Sequence, residues 1–138
     1  MNRLLLILTF TIMGTSVWPL PTAAQIPPPA KRATLVKVTN GPELESASDD
    51  LAIIRWTSTN PGGSDEHFGV VHYGTDAKNL SETAKSHIRL NPTHSYTVFR
   101  VRVDNLKPRT RYYYTVDSME PNGRGDGVTS PINAFTTP

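Results

Sequence analysis

The sequence predicts an all-β fold, a sandwich of two sheets built from seven short strands. Three observations carry this expectation. Runs rich in β-branched and aromatic residues recur from about residue 33 onward. Turn residues punctuate them at roughly 8–15-residue spacing. No window holds a sustained 3.6-residue apolar period; the most helix-like stretch, 76–85 (DAKNLSETAK), offers a core only Leu80 and two alanines.

The N-terminus is set apart from the domain. Arg3 is followed by an apolar run over 4–13 (LLLILTFTIM), then Gly14, Pro19, Pro21 and the small residues Thr22-Ala23-Ala24. This is the layout of a secretory signal peptide, 1–24, cleaved after Ala24. The run is shorter than the ~20 apolar residues a membrane span needs, although an uncleaved anchor is the competing reading. With no cysteine after it, a lipoprotein is excluded. The expected location is secreted or periplasmic. Residues 25–32 (QIPPPAKR) read as a proline-rich linker in extended polyproline II form, with a proline-recognition ligand as the alternative. The folded domain is expected over 33–138.

The strands follow in order. The first covers 34–38 (TLVKV) and is broken by Asn40-Gly41-Pro42. The second, 51–57 (LAIIRWT), stops at Asn60-Pro61-Gly62-Gly63, and the third, 68–73 (FGVVHY), at Gly74. A weak fourth spans 86–90, and the most regular, the fifth, spans 95–103 (SYTVFRVRV). The sixth, 111–117 (RYYYTVD), ends before Pro121-Asn122-Gly123, and the last is 132–136. A sandwich buries one face of each strand. Alternation therefore places Trp56, Val71, Tyr73, Phe99, Val101, Val103, Leu106, Tyr112, Tyr114 and Phe135 in the core.

The stretch Leu106-Lys107-Pro108-Arg109-Thr110-Arg111-Tyr112 has the L-x-P-x-T-x-Y form that opens the sixth strand of fibronectin type III domains. The chain resembles that immunoglobulin-like family. The resemblance implies a tyrosine corner, the Tyr112 hydroxyl bonding the backbone of the preceding turn, and structural roles for Leu106, Pro108 and Trp56. More closely, it resembles the fibronectin-like N-terminal domain of purple acid phosphatases. Ile54-Arg55-Trp56-Thr57, Val71-His72-Tyr73-Gly74-Thr75, the stretch 103–110, Tyr112-Tyr113-Tyr114 and Phe135-Thr136-Thr137-Pro138 carry this likeness over about 51–138. In those enzymes the metal site lies in a separate metallophosphoesterase domain after the sandwich. The sequence stops at Pro138, Asn-His-Glu does not occur, and Gly125-Asp126 falls in a turn. The resemblance thus implies the fold without the activity.

Composition narrows the function further. Fourteen Lys and Arg against twelve Asp and Glu leave a formal charge of +2, too balanced for a nucleic-acid binder. The absence of cysteine excludes disulfides, thiolate metal sites and a cysteine nucleophile. His67, His72, His87 and His94 lack helical i,i+4 metal spacing, and Asp65-Glu66-His67 reads as a solvated hairpin loop. No serine elbow or phosphate-binding glycine loop is present. No catalytic residue, metal or cofactor is expected.

The binding candidates are surface features. Arg124-Gly125-Asp126 lies between the sixth and seventh strands, where an adhesive fibronectin domain carries the same tripeptide. There the carboxylate could complete a receptor-bound metal's oxygen shell and the arginine meet an acidic pocket; a plain turn is the alternative. Phe68, Val70, His72 and Tyr113 should line an outer sheet face as a partner surface, unless neighbouring segments cover it. Arg55, Arg100 and Arg102 should form a basic patch, for an anionic polymer or merely solvated. Asn79-Leu80-Ser81 is a glycosylation sequon. The expected protein is a secreted, monomeric, non-catalytic binding or spacer module whose partner is an extracellular protein or polysaccharide, not nucleic acid or membrane. The alternatives are a split relative of an exported phosphatase working with a separate metallophosphoesterase, and an Arg-Gly-Asp adhesion module.

Overall fold

Apolar residues at every second position of the central strands set the architecture, because each strand can bury one face only. The computed structural model describes residues 36–91 and 93–138. The signal peptide, the whole linker and the first residues of the expected domain, 33–35, fall outside them. Seven strands follow one another: β1 (Val38–Ala47), β2 (Ala52–Thr59), β3 (Glu66–Gly74), β4 (Glu82–Arg89), β5 (Tyr96–Val103), β6 (Arg111–Met119) and β7 (Asn133–Thr136). They form a three-stranded sheet, β1-β2-β5, and a four-stranded sheet, β4-β3-β6-β7, with every pairing antiparallel. This is the fibronectin type III-like sandwich the sequence implied.

The core forms where the inner faces meet. On the three-stranded sheet, Ala52, Ile54 and Trp56 of β2 stand opposite Val103, Val101 and Phe99 of β5, and all six are buried. Trp56 and Phe99 stack with ring centroids 5.0 Å apart. From the other sheet come Val71, Tyr114, Val116 and Tyr112, and Phe135 stacks on Tyr112 at 5.6 Å. Gly69 explains how so large a ring fits between the sheets. A Cβ at this position would lie 2.9 Å from Phe99, 3.0 Å from Val101 and 3.1 Å from Trp56. The missing side chain on β3 is the space that the Trp56–Phe99 stack fills. Of the ten expected core residues, only Tyr73 is not fully enclosed; it is half-buried and packs against the cluster.

Two expectations about strands need correction. The first strand, expected over 34–38, overlaps β1 only at Val38: Val36 and Lys37 precede the strand, which runs on through Asn40-Gly41-Pro42 to Ala47 with register shifts on both sides. As an edge strand, β1 tolerates a proline that donates no hydrogen bond, and bulges absorb the misfit. Gly41 takes φ +78°, and a Cβ there would sit 2.9 Å from the Arg55 carbonyl oxygen. The fourth strand, expected over 86–90, begins earlier: β4 covers Glu82–Arg89, and a turn from Asp76 precedes it. The Lys78 amide donates to Asp76 Oδ1 at 2.9 Å and the Asn79 amide to the Asp76 carbonyl at 3.0 Å. β4 then alternates in burial like the edge strand it is.

The tyrosine corner is present. The Lys107 amide donates to the Tyr112 hydroxyl oxygen at 2.9 Å, and Leu106 is buried beneath the turn. Pro108 is exposed at the turn, its carbonyl accepting from the Thr110 hydroxyl at 2.9 Å. The last residues tie the same turn down. The Thr137 hydroxyl donates to the Lys107 carbonyl at 2.6 Å, and the Arg109 amide donates to the Pro138 carbonyl at 2.8 Å. Asn105 and Arg109 take left-handed φ values of 60° and 50° to make this path.

Gly69→Ala should lower stability by about 1–3 kcal/mol through overpacking, as measured by chemical denaturation. A variant as stable as the parent would mean that the sheets part freely at this point. Tyr112→Phe should cost about 0.5–1.5 kcal/mol, one hydrogen bond, with the fold intact by circular dichroism.

Candidate functional site

Phe68, Val70 and His72 alternate along one face of β3, and Tyr113 joins them because β6 pairs Tyr113 with Gly74. The four therefore share the outer face of the four-stranded sheet, but that face is not an open aromatic patch. Val70 is wholly buried, between cross-strand neighbours Lys85 and Asp117, and offers nothing to a partner. The Nε2 of His72 lies 2.9 Å from Asp117 Oδ2, and its Nδ1 lies 3.4 Å from the Thr83 hydroxyl. Phe68 meets the His87 ring edge-on at 5.4 Å, and the Arg111 guanidinium lies over Tyr113 at 5.5 Å. Most of the polar and aromatic capacity of this face is spent within it.

The basic patch of the other sheet is neutralised. Register places Arg55 beside Arg100 and opposite Glu43. Arg55 pairs with Glu43 at 2.9 Å, Arg100 with Glu45 at 2.8 Å and Arg102 with Asp104 at 2.7 Å. Such exposed pairs add little stability, but they leave no run of free positive charge for an anionic polymer.

The Arg-Gly-Asp tripeptide is divided between two environments. The turn before it closes through the Gly123 amide on the Glu120 carbonyl, and the Arg124 amide donates to Asn122 Oδ1. Arg124 is exposed. Asp126 turns inward, with a side chain only 7% exposed. Its backbone amide donates to the Ser118 carbonyl, the Ser118 hydroxyl donates to its Oδ2, and its Oδ1 lies 3.6 Å from Nε2 of His67. An adhesive loop would hold this carboxylate out to a receptor's metal ion; here it is engaged below the surface. His67, expected in a solvated loop, is fully buried, and neither ring nitrogen has a hydrogen-bond partner. Strand parity contains that signal: 67, 69, 71 and 73 fall on one face of β3, and Val71 and Tyr73 already mark that face as inner.

A fourth feature went unread in the sequence because three separate segments contribute to it. At the tyrosine-corner end, the β3–β4 turn and the β5–β6 turn enclose a groove of about 370 Å³ lined by Tyr73, Thr75, Ser81, Glu82, Asn105 and Lys107, among others. Gly74 lets the β3–β4 turn fold close, since a Cβ there would lie 2.6 Å from the Asn79 carbonyl oxygen. Tyr73 meets Tyr112 edge-on at 6.2 Å. Burial, and then the Glu82 carboxylate, raise the pKa of the Tyr73 hydroxyl above the ordinary phenol value. Among the described residues, no three His, Asp or Glu side chains converge to hold a metal ion.

Comparison with known proteins agrees with this architecture. The purple acid phosphatase N-terminal domain family matches residues 41–137. Curated proteins provide no significant match. Among solved structures, the sensor domain of the anti-sigma factor RsgI4 from Pseudobacteroides cellulosolvens is similar in two forms. The longer aligns at TM-score 0.51 and 19% identity, covering 75% of this chain and 89% of that one. The shorter aligns at TM-score 0.51 and 20% identity, covering 74% and 93%. At such identities the likeness is one of fold.

Asp126→Ala should destabilise the domain by about 1–3 kcal/mol, because it strips the hydrogen-bond partner from the buried Ser118 hydroxyl and removes the carboxylate beside the buried His67 ring. Arg124→Ala, in the same tripeptide, should stay within about 0.5 kcal/mol. Urea denaturation of the two variants measures the contrast, and equal effects would mean that Asp126 is as free as Arg124.

Proposed function

The chain belongs to the family of the purple acid phosphatase N-terminal domain, a non-catalytic domain type, and on that basis we propose that it is an exported recognition module and not an enzyme. The observation that carries the reading is the filled interior. Trp56 and Phe99 occupy the space between the sheets up to the Gly69 backbone. Hydrolysis of a phosphate ester needs placed metals or an activated nucleophile in a site that excludes water. In a sandwich packed solid, the chemistry-bearing side chains fall on loops and outer faces, where binding is feasible and water exclusion is poor. The fold-mates are described as sensor domains of an anti-sigma factor, so the same sandwich is used elsewhere for sensing. The signal-peptide layout read in the sequence over 1–24 supports a location outside the cytoplasm, secreted or periplasmic. Family membership also supports a second reading, a module that works beside a separate metallophosphoesterase.

Purified mature chain, residues 25–138, should show no turnover of p-nitrophenyl phosphate above buffer with iron, zinc or manganese. The same chain, immobilised, should retain a component of the extracellular fraction that the denatured chain does not. Metal-dependent turnover abolished by changing one His or Asp would overturn the reading. Retention of nothing would leave a spacer. Faster turnover by an adjacent metallophosphoesterase on adding the chain would favour the second reading.

A further inference from the structure

We infer that the groove at the tyrosine-corner end binds a neutral saccharide, with Tyr73 as its aromatic wall and Glu82 and Lys107 as its hydrogen-bonding rim. This rests on the recognition-module reading and gives that reading a site and a ligand class.

The groove's volume of about 370 Å³ lies at the low end for small-ligand clefts, a size suited to one or two sugar rings. Its lining is chemically mixed. Thr75 and Ser81 supply hydroxyls, Asn105 an amide, Glu82 a carboxylate and Lys107 an ammonium. A sugar hydroxyl donates one hydrogen bond and accepts others, so it is best held by donors and acceptors interleaved, as they are here. None of these five side chains makes a hydrogen bond or ion pair with another described residue. Several polar groups of the two outer sheet faces are engaged instead: Arg55, Arg100 and Arg102 by carboxylates, and His72 by Asp117.

Charge selects within this class. One carboxylate and one ammonium cancel, so the lining favours an uncharged ligand over a phosphate or a polyanion. Half-buried Tyr73 is held by its edge-on contact with Tyr112 and lines the groove, where an aromatic side chain suits the C–H groups of a pyranose. The Tyr73 hydroxyl, like any phenol, is an O–H donor at neutral pH. The backbone that carries two of these side chains is tied before any ligand arrives. Lys107 sits in the turn that the Tyr112 hydroxyl and Thr137 tie down, and Asn105 is set by its left-handed backbone. Preorganised groups lose less freedom on binding.

Affinity electrophoresis of mature chain through gels containing mixed-linkage β-glucan, xylan or glucomannan tests the site, with polygalacturonate as the anionic control. Retardation is expected in at least one neutral polymer and not in polygalacturonate. Glu82→Ala and Lys107→Ala should each weaken binding about tenfold, equivalent to one good hydrogen bond. Tyr73→Phe should weaken it while keeping the ring, and Lys85→Ala on the outer sheet face should leave it unchanged. Thermal unfolding of each variant verifies the fold. Retardation in no neutral polymer, or in polygalacturonate alone, overturns the proposal. So does loss of binding with Lys85→Ala or Tyr113→Ala instead of the groove variants, which would move recognition to the sheet face and leave the module reading intact. Absence of any retained extracellular component would count against the module itself.

Discussion

The contact of Trp56 with Phe99 across the space left by Gly69 is the constraint on which the rest of the structure depends. Two sheets pack about 10 Å apart when their inner faces interdigitate. An indole in that layer needs a gap in the opposite sheet, and β3 provides it by carrying no side chain at Gly69. The spacing so established determines how closely Val71, Val101 and Val116 approach one another, and all three are completely enclosed. A side chain on Gly69 or a smaller one at Trp56 would disturb the same layer from opposite directions, by crowding or by a cavity.

With the sheets held at that distance, the ends of the sandwich become the places where loops can build something. At one end the β6–β7 loop folds Asp126 inward over Ser118 and His67, and its polar capacity goes into holding the loop. At the other end, the Tyr112 and Thr137 hydroxyls hold the turn before β6, so the side chains of Asn105 and Lys107 are not needed to hold it. The contrast is one of who satisfies whom. Where the loop's own side chain holds it, that side chain is spent; where side chains of β6 and the C-terminus hold it, the turn's own side chains are not.

The two sheet faces show the same economy of contacts. Arg55, Arg100 and Arg102 look like a cationic stripe when β2 and β5 are considered alone, but β1 brings Glu43 and Glu45 alongside them. Like charges on neighbouring strands are tolerated because each has its own counter-charge within reach. On the opposite sheet, His72 and Asp117 sit on different strands 45 residues apart in sequence, yet lie 2.9 Å from each other. Neither pairing has any local marker in the chain.

What the sequence by itself determined was whatever depends on alternation and on turn chemistry. The inward faces of β2, β5 and β6 follow from a two-residue period, and the corner at Tyr112 follows from the spacing Leu106, Pro108, Thr110, Tyr112. Even the burial of His67 was implicit in the parity of β3, once Val71 was placed inside. What only the tertiary structure decided was partnership: that Asp126 turns in and Arg124 out, that Val70 is enclosed on a face expected to be open, that β1 continues through Pro42 as an edge strand, and that Thr75, Glu82 and Lys107 border one groove. Side-chain period is a local property of an extended chain. Which turn lies beside which is a property of strand order, and strand order exists only once the two sheets have closed on each other.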